Sequence, residues 1–113
     1  VFCERVDGMD LPEVGPQFEY ADIFPERINT EFIRVVNAST IKMRVWERGS
    51  GETLACGTGA CAAVVAAAAN GLVEKGRDIT VKAAGGDLTV NYTDGEVTLT
   101  GDAKLVFEGT VEY

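Results

Sequence analysis

The chain contains no histidine. That removes the side chain used most often as a general base near neutral pH, and with it the commonest metal ligand. Any acid–base chemistry therefore falls to cysteine, the carboxylates or lysine. Cysteine is scarce as well: there are three, an odd number without paired spacing. Such a set does not build a disulfide framework and suits a reducing compartment, so the cytoplasm is the expected location. Three cysteines without histidine give little support to a zinc site, and no metal is expected. Basic residues are outnumbered, 10 Lys and Arg against 18 Asp and Glu, for a net charge of −8. This excess argues against nucleic acid and against an anionic membrane surface as partners. Long apolar runs are missing too. The longest, Ala60 to Ala69, is about half of the roughly 20 residues that a membrane-spanning helix needs.

What remains is enough for one domain: 113 residues, 46% of them hydrophobic. The opening Val1-Phe2-Cys3-Glu4 reads as part of a strand, and no secretory leader is expected. A start of this kind suggests a domain of a longer protein.

One stretch dominates the chain, Glu47 to Asn70. From Glu47 to Gly59 it is polar, rich in glycine and carries Cys56; from Ala60 it is small and apolar, with alanine the best helix former. Asn70-Gly71 supplies a helix stop. The pattern predicts a short helix with Cys56 delivered to its N-terminus. A helix with no polar face is expected to be surrounded by the rest of the fold. Unpaired N–H groups and a partial positive charge at a helix start favour a thiolate and can hold a carboxylate. Gly57 and Gly59 leave the backbone open to a ligand. Cys56 thus reads either as a reactive thiol beside an anion cradle or as a small residue in a tight glycine turn. Cys61, inside the packed run, reads as core.

Elsewhere the periodicity predicts a strand over Val1 to Val6, a short amphipathic helix over Leu11 to Tyr20, and a hairpin. The hairpin pairs Asn29–Val36 with Ile41–Arg48, placing Ile41, Met43 and Val45 on one face and Lys42, Arg44 and Trp46 on the other. After the buried helix, four strands are expected as an antiparallel meander: Ile79–Ala83, Leu88–Tyr92, Glu96–Thr100 and Ala103–Glu112, with Asp94-Gly95 a strong turn signal. The fold class expected is α+β, a mostly antiparallel curled sheet or barrel wrapped around a central buried helix.

Gly57-Thr58-Gly59-Ala60-Cys61-Ala62 fits a relaxed dinucleotide fingerprint, but that motif must follow a strand directly within a βαβ unit. Here a polar, glycine-rich loop precedes it, and the following strands read as antiparallel. No Lys-Ser or Lys-Thr follows the glycines, which excludes a P-loop. Glu47 and Arg48, at a strand end, are either ordinary solvated charges or groups that receive an amine and a carboxylate. Joined to Cys56 they suit a small zwitterionic substrate such as an amino acid. Asn29 is by default a turn residue.

The run Arg44-Val-Trp-Glu-Arg-Gly-Ser-Gly-Glu-Thr-Leu-Ala-Cys-Gly-Thr-Gly-Ala-Cys-Ala-Ala63 resembles the second-cysteine signature of diaminopimelate epimerases. Asn29-Thr30-Glu31-Phe32, Gly85-Gly86-Asp87-Leu88 and Val106-Phe107-Glu108-Gly109 resemble the same family, so the likeness covers essentially the whole chain. Proline racemase and phenazine-pathway isomerase-like proteins share the fold but resemble this chain only in the Cys-Gly-Thr-Gly core. The resemblance implies an isomerase without cofactors that interconverts LL- and meso-diaminopimelate, in lysine and peptidoglycan synthesis. It implies two similar domains, each giving one cysteine to opposite sides of the substrate α-carbon. By position, Cys56 matches the second-domain cysteine, and Gly57 and Thr58 match the amides that hold the reacting carboxylate. Glu47 matches a residue near the reacting amine, and Arg48 and Asn29 match substrate-binding residues.

On this reading residues 1–113 are the C-terminal domain, with the first-domain cysteine and the N-terminal domain outside the chain, and the isolated chain is expected to be inactive. Its partners would be diaminopimelate, the N-terminal domain and, as the resemblance allows, a second copy in a homodimer. The rival readings are another racemase or isomerase of the same fold and a non-catalytic binding module.

Overall fold

The computed structural model describes all residues, 1–113. Asp10 caps the first helix, α1 (Leu11–Glu19): its carboxylate accepts the Glu13 N–H at 3.3 Å, and a proline stands in the first turn, where no N–H is needed. The hairpin follows as β1 (Thr30–Asn37) and β2 (Thr40–Glu47), antiparallel with Ile33 opposite Met43. A short strand that the sequence pattern does not reveal, β3 (Gly51–Thr53), folds back on the end of β2. Helix α2 (Gly57–Ala69) leads to β4 (Asp78–Ala83), β5 (Gly86–Thr93) and β6 (Glu96–Thr100). The sheet runs β1-β2-β4-β5-β6, with β3 on β2.

Two strand expectations need correction. The expected antiparallel meander forms over its first three strands, β4, β5 and β6, but it joins the hairpin through a parallel pairing that the pattern does not announce: Ile41 of β2 lies beside Val81 of β4, so α2 is the crossover between parallel neighbours. Such a connection needs a dozen or more residues, which α2 and its flanking loops supply. β3 and β4 therefore share one edge of β2, β3 against its end and β4 against its beginning. The second correction concerns Ala103–Glu112, which forms no strand; residues 101–113 are exposed throughout, Phe107 to 82%. Alternation such as Leu105, Phe107, Val111 signals a strand only where a sheet edge receives it, and here nothing pairs with the segment. At the other end, Phe2 makes only an isolated parallel bridge to Ile33.

Each face of the sheet carries a helix. Ile33, Ile41, Met43, Ile79, Val81 and Val90 pack on Ala60, Ala63, Val64 and Ala67 of α2. Burying a Val or Ile side chain contributes roughly 1.5–3 kcal/mol, so this layer is the main core. Alanines on the helix let the sheet come close. The helix is not enclosed on all sides, however: Ala62, Ala66 and Ala69 are exposed, since the sheet covers only one flank. The opposite face of the sheet holds Phe32 with Leu11 and Val6, and Phe18 meets Phe32 edge-on at 5.3 Å. Trp46 lies on this face against Gly15, where a Cβ would fall 2.2 Å from the indole. No helix is long and apolar enough to cross a membrane.

Candidate functional site

The site forms where β2 ends and α2 begins. Cys56 stands just before α2 with extended backbone, φ −139° and ψ 112°, and its carbonyl accepts the Ala60 N–H at 2.9 Å. The amides of the residues after it, Gly57, Thr58 and Gly59, lack intrahelical acceptors by helix geometry. The Cys56 thiol is partly exposed and lies 3.5 Å from the Thr58 hydroxyl. Leu99 of β6 closes over Gly57, where a Cβ would come within 2.8 Å of its methyl.

The loop carrying Cys56 is pinned from two directions. Thr53 donates its hydroxyl to the Glu47 carboxylate, joining the loop to the end of β2. The Leu54 carbonyl accepts the Gly85 N–H at 2.7 Å, joining it to the β4–β5 turn. A side chain at Gly85 would sit 2.9 Å from Leu54 Cβ, so this approach requires glycine. Glu47 thus reaches the Cys56 loop through one hydroxyl.

Arg48 and Asn29 come together by a different contact. The Asn29 side-chain carbonyl accepts the Arg48 backbone N–H at 2.7 Å. The Arg48 guanidinium donates to the Glu26 carbonyl at 3.1 Å, and it has no carboxylate partner. Both residues are exposed. The structure therefore makes two pairs, Glu47 with the thiol loop and Asn29 with Arg48, linked by the consecutive residues 47 and 48.

The other cysteines lie elsewhere. Cys3 packs with the α1-side cluster. Cys61 packs against the α2-side core, where burial pushes its thiol pKa up and keeps it protonated. Cys56 is the cysteine at the helix start.

Two carboxylates escaped the reading of the sequence. Glu19, 3% exposed, accepts from the Trp46 indole at 2.9 Å, Arg27 at 3.1 Å and the Gly49 amide at 3.2 Å. It ties α1, the loop before β1 and the turn after β2 together. Arg27 holds a left-handed backbone, φ 64°, and stacks over Tyr20 while it reaches Glu19. Nothing in the local sequence announces this hub. Glu31 is the other. It pairs with Val45 across the hairpin and shares the α2-facing side with Ile33. Its carboxyl rests over Gly59, where a Cβ would lie 2.6 Å from Oε1. Burial pushes the Glu31 carboxyl above the ordinary carboxylate range, and nearby Glu47 pushes the same way. Alternation along β1 was the available signal: Glu31 falls on the same face as the core residue Ile33.

Chemically, the ensemble offers a thiol with helix-start amides, one carboxylate tied to its loop and a second over its first turn. Comparison with known proteins bears on the chain as a whole. The family model described as diaminopimelate epimerase matches residues 1–106. The diaminopimelate epimerase of Bacillus cereus (strain ATCC 10987 / NRS 248) is 50% identical over 114 aligned residues, covering 100% of this chain and 40% of the relative. That of Bacillus mycoides (strain KBAB4) is also 50% identical, with the same coverage. The chain thus spans about 40% of the length of the curated relatives it matches. Among solved structures, a Bacillus anthracis phenazine biosynthesis protein of the PhzF family aligns with TM-score 0.60 at 23% identity, over 87% of this chain and 32% of that one, a likeness of fold. By the family match along nearly its whole length, the chain belongs to the diaminopimelate epimerase family.

Proposed function

We propose that this chain is the thiol-bearing half of an epimerase that interconverts LL- and meso-2,6-diaminopimelate, working in the cytoplasm in lysine and peptidoglycan precursor synthesis. One observation carries the reading: Cys56 caps α2, with Thr58 and the open first-turn amides on one side and the Glu47-tethered loop on the other. An α-proton next to a carboxylate is a very weak acid, and its removal builds charge on that carboxylate. Backbone donors at a helix start, aimed at the carboxylate, stabilise the transition state electrostatically. Gly57 and Thr58 supply these donors. Glu47 faces the substrate ammonium, and Arg48 and Asn29 bind the rest of the molecule.

In one direction the Cys56 thiolate takes the α-proton and becomes a thiol, while a second thiol on the opposite face gives its proton to the carbanion and becomes a thiolate. In the reverse direction the roles exchange. No electron leaves the pair and no cofactor is consumed. The second thiol comes from the part of the relatives' length that this chain does not span.

The test is deuterium wash-in at the α-carbon of LL-diaminopimelate. The chain alone should give none. The chain joined to the part of the Bacillus cereus relative that it lacks should exchange and epimerise. Cys56→Ala in the joined protein should lower turnover by at least about 10³-fold, within the range of a lost acid–base group. Exchange by the isolated chain, or retained turnover in the Cys56→Ala protein, would sink the two-thiol reading.

A further inference from the structure

Glu31 has no place in the mechanism above, yet its side chain meets the turn that carries Cys56. Gly59 is the third residue of α2, and the three atoms nearest its absent Cβ all belong to Glu31: Oε1 at 2.6 Å, Cδ and Cγ at 3.0 Å. The carboxyl end occupies the volume that a side chain at position 59 would fill. At the start of the same turn, Leu99 occupies the corresponding space over Gly57, 2.8 Å from its absent Cβ. The turn is thus gripped by β6 at one glycine and by β1 at the other. Glu31 is joined to the rest of the site as well. It forms part of the wall of a groove of about 560 Å³ that also contains Asn29, and it feels the charge of Glu47.

We propose that Glu31 is a positioning residue of the Cys56 site: by packing its carboxyl over Gly59 it holds the first turn of α2, and so the thiol and the amides, in register with the ends of β1 and β2. Gly59 is the glycine that makes room for it. This rests on the epimerase reading, in which a displacement of the thiol by about 1 Å costs on the order of 10²-fold in rate.

The experiment uses the joined protein and measures kcat and KM for LL-diaminopimelate in four variants beside Cys56→Ala. Glu31→Ala should lower kcat about 10- to 100-fold with KM within about threefold, as expected for misplacement and not for lost binding. Gly59→Ala pushes the carboxyl off the turn and should lose a similar amount. The double variant should be no worse than either single change, because both remove one contact. Glu31→Gln keeps the shape and should stay within about threefold of the parent. If Glu31→Ala does not fold, Glu31→Asp, one methylene too short to cover Gly59, takes its place with the same expected loss. The proposal is overturned if the Ala variant (or its Asp substitute) stays within about twofold of the parent, if the single losses multiply in the double variant, or if Gln is as poor as Ala. A dead Cys56→Ala protein beside an unaffected Glu31 variant removes this inference alone; an active Cys56→Ala protein removes the epimerase reading beneath it.

Discussion

A carboxylate stands between helix and sheet on each face, Glu19 at the end of α1 and Glu31 on β1 under α2, and the two are treated in opposite ways. On the α1 face, Glu19 is 3% exposed and its two oxygens take three donors from three segments. On the α2 face, the Glu31 carboxyl takes no donor from any other residue and leans on a bare glycine, with Glu47 nearby. The glycines differ in the same sense. Gly15 makes room for a rigid indole, Gly59 for a flexible acid. A buried polar group fully satisfied by the fold is a fastener. A half-buried carboxyl over the first turn of a helix, with no donor from another residue, is held by packing alone. The comparison teaches that the polar residues most secured by the structure are not those of the site.

The largest way to break that contrast is Glu19→Ala. It strands the Trp46 and Gly49 donors, and chemical denaturation should show a loss of about 3 kcal/mol. Little of that comes from Arg27, which is exposed enough for water to replace the ion pair. Turnover per folded molecule should not change; a fall in kcat at full folding would mean that Glu19 belongs to the site. Next comes Gly15→Ala. The new methyl would press into the Trp46 ring, and the cost should lie near the top of the usual overpacking range of about 1–3 kcal/mol. A melting curve identical to the parent would show that the indole can swing away. Cys61→Ala should cost about 1 kcal/mol and leave turnover intact, since the residue is packing on α2 and not chemistry.

The smallest effect is a slope. The Glu31 carboxyl binds its proton more tightly in the fold than in the unfolded chain. Its contribution is therefore present at pH below the ordinary carboxylate value and is lost as pH rises through the raised one. Glu31→Gln removes that slope, so its stability relative to the parent should increase across this window. Parallel stability–pH curves for the two proteins would contradict the direction of the shift.

How much of this was legible in the sequence depends on the range of the interaction that decides each element. Alternation placed Ile41, Met43 and Val45 on one face, where all three are buried and Ile41 and Met43 pack with α2, and the capping pattern placed Cys56 at the start of α2, because strand and helix periods are local. The parallel union of β2 with β4 was hidden: Asp94-Gly95 announces a hairpin within four residues, whereas nothing near Thr40 announces Thr80. The strand expected over Ala103–Glu112 rested on alternation alone, and alternation does not say whether a neighbour exists. Of the candidate site residues, Glu47 and Arg48 were read together with Cys56; the structure ties Glu47 to the Cys56 loop, and the contact of Arg48 with Asn29 was not legible. Glu19 was invisible because its three partners come from different parts of the chain.

The parallel crossover also has a kinetic meaning. The hairpin of β1 and β2 can form from neighbouring residues, as can those of β4 with β5 and β5 with β6. The β2–β4 ladder cannot, because the whole of α2 must be looped out first, and the entropy of closing that loop is lost before any of its contacts are gained. The Leu54–Gly85 link that pins the thiol loop lies across this same seam. The thiol loop should therefore reach its final place only when the last long-range closure is made, so that a folding intermediate with both hairpin halves complete would still have no site.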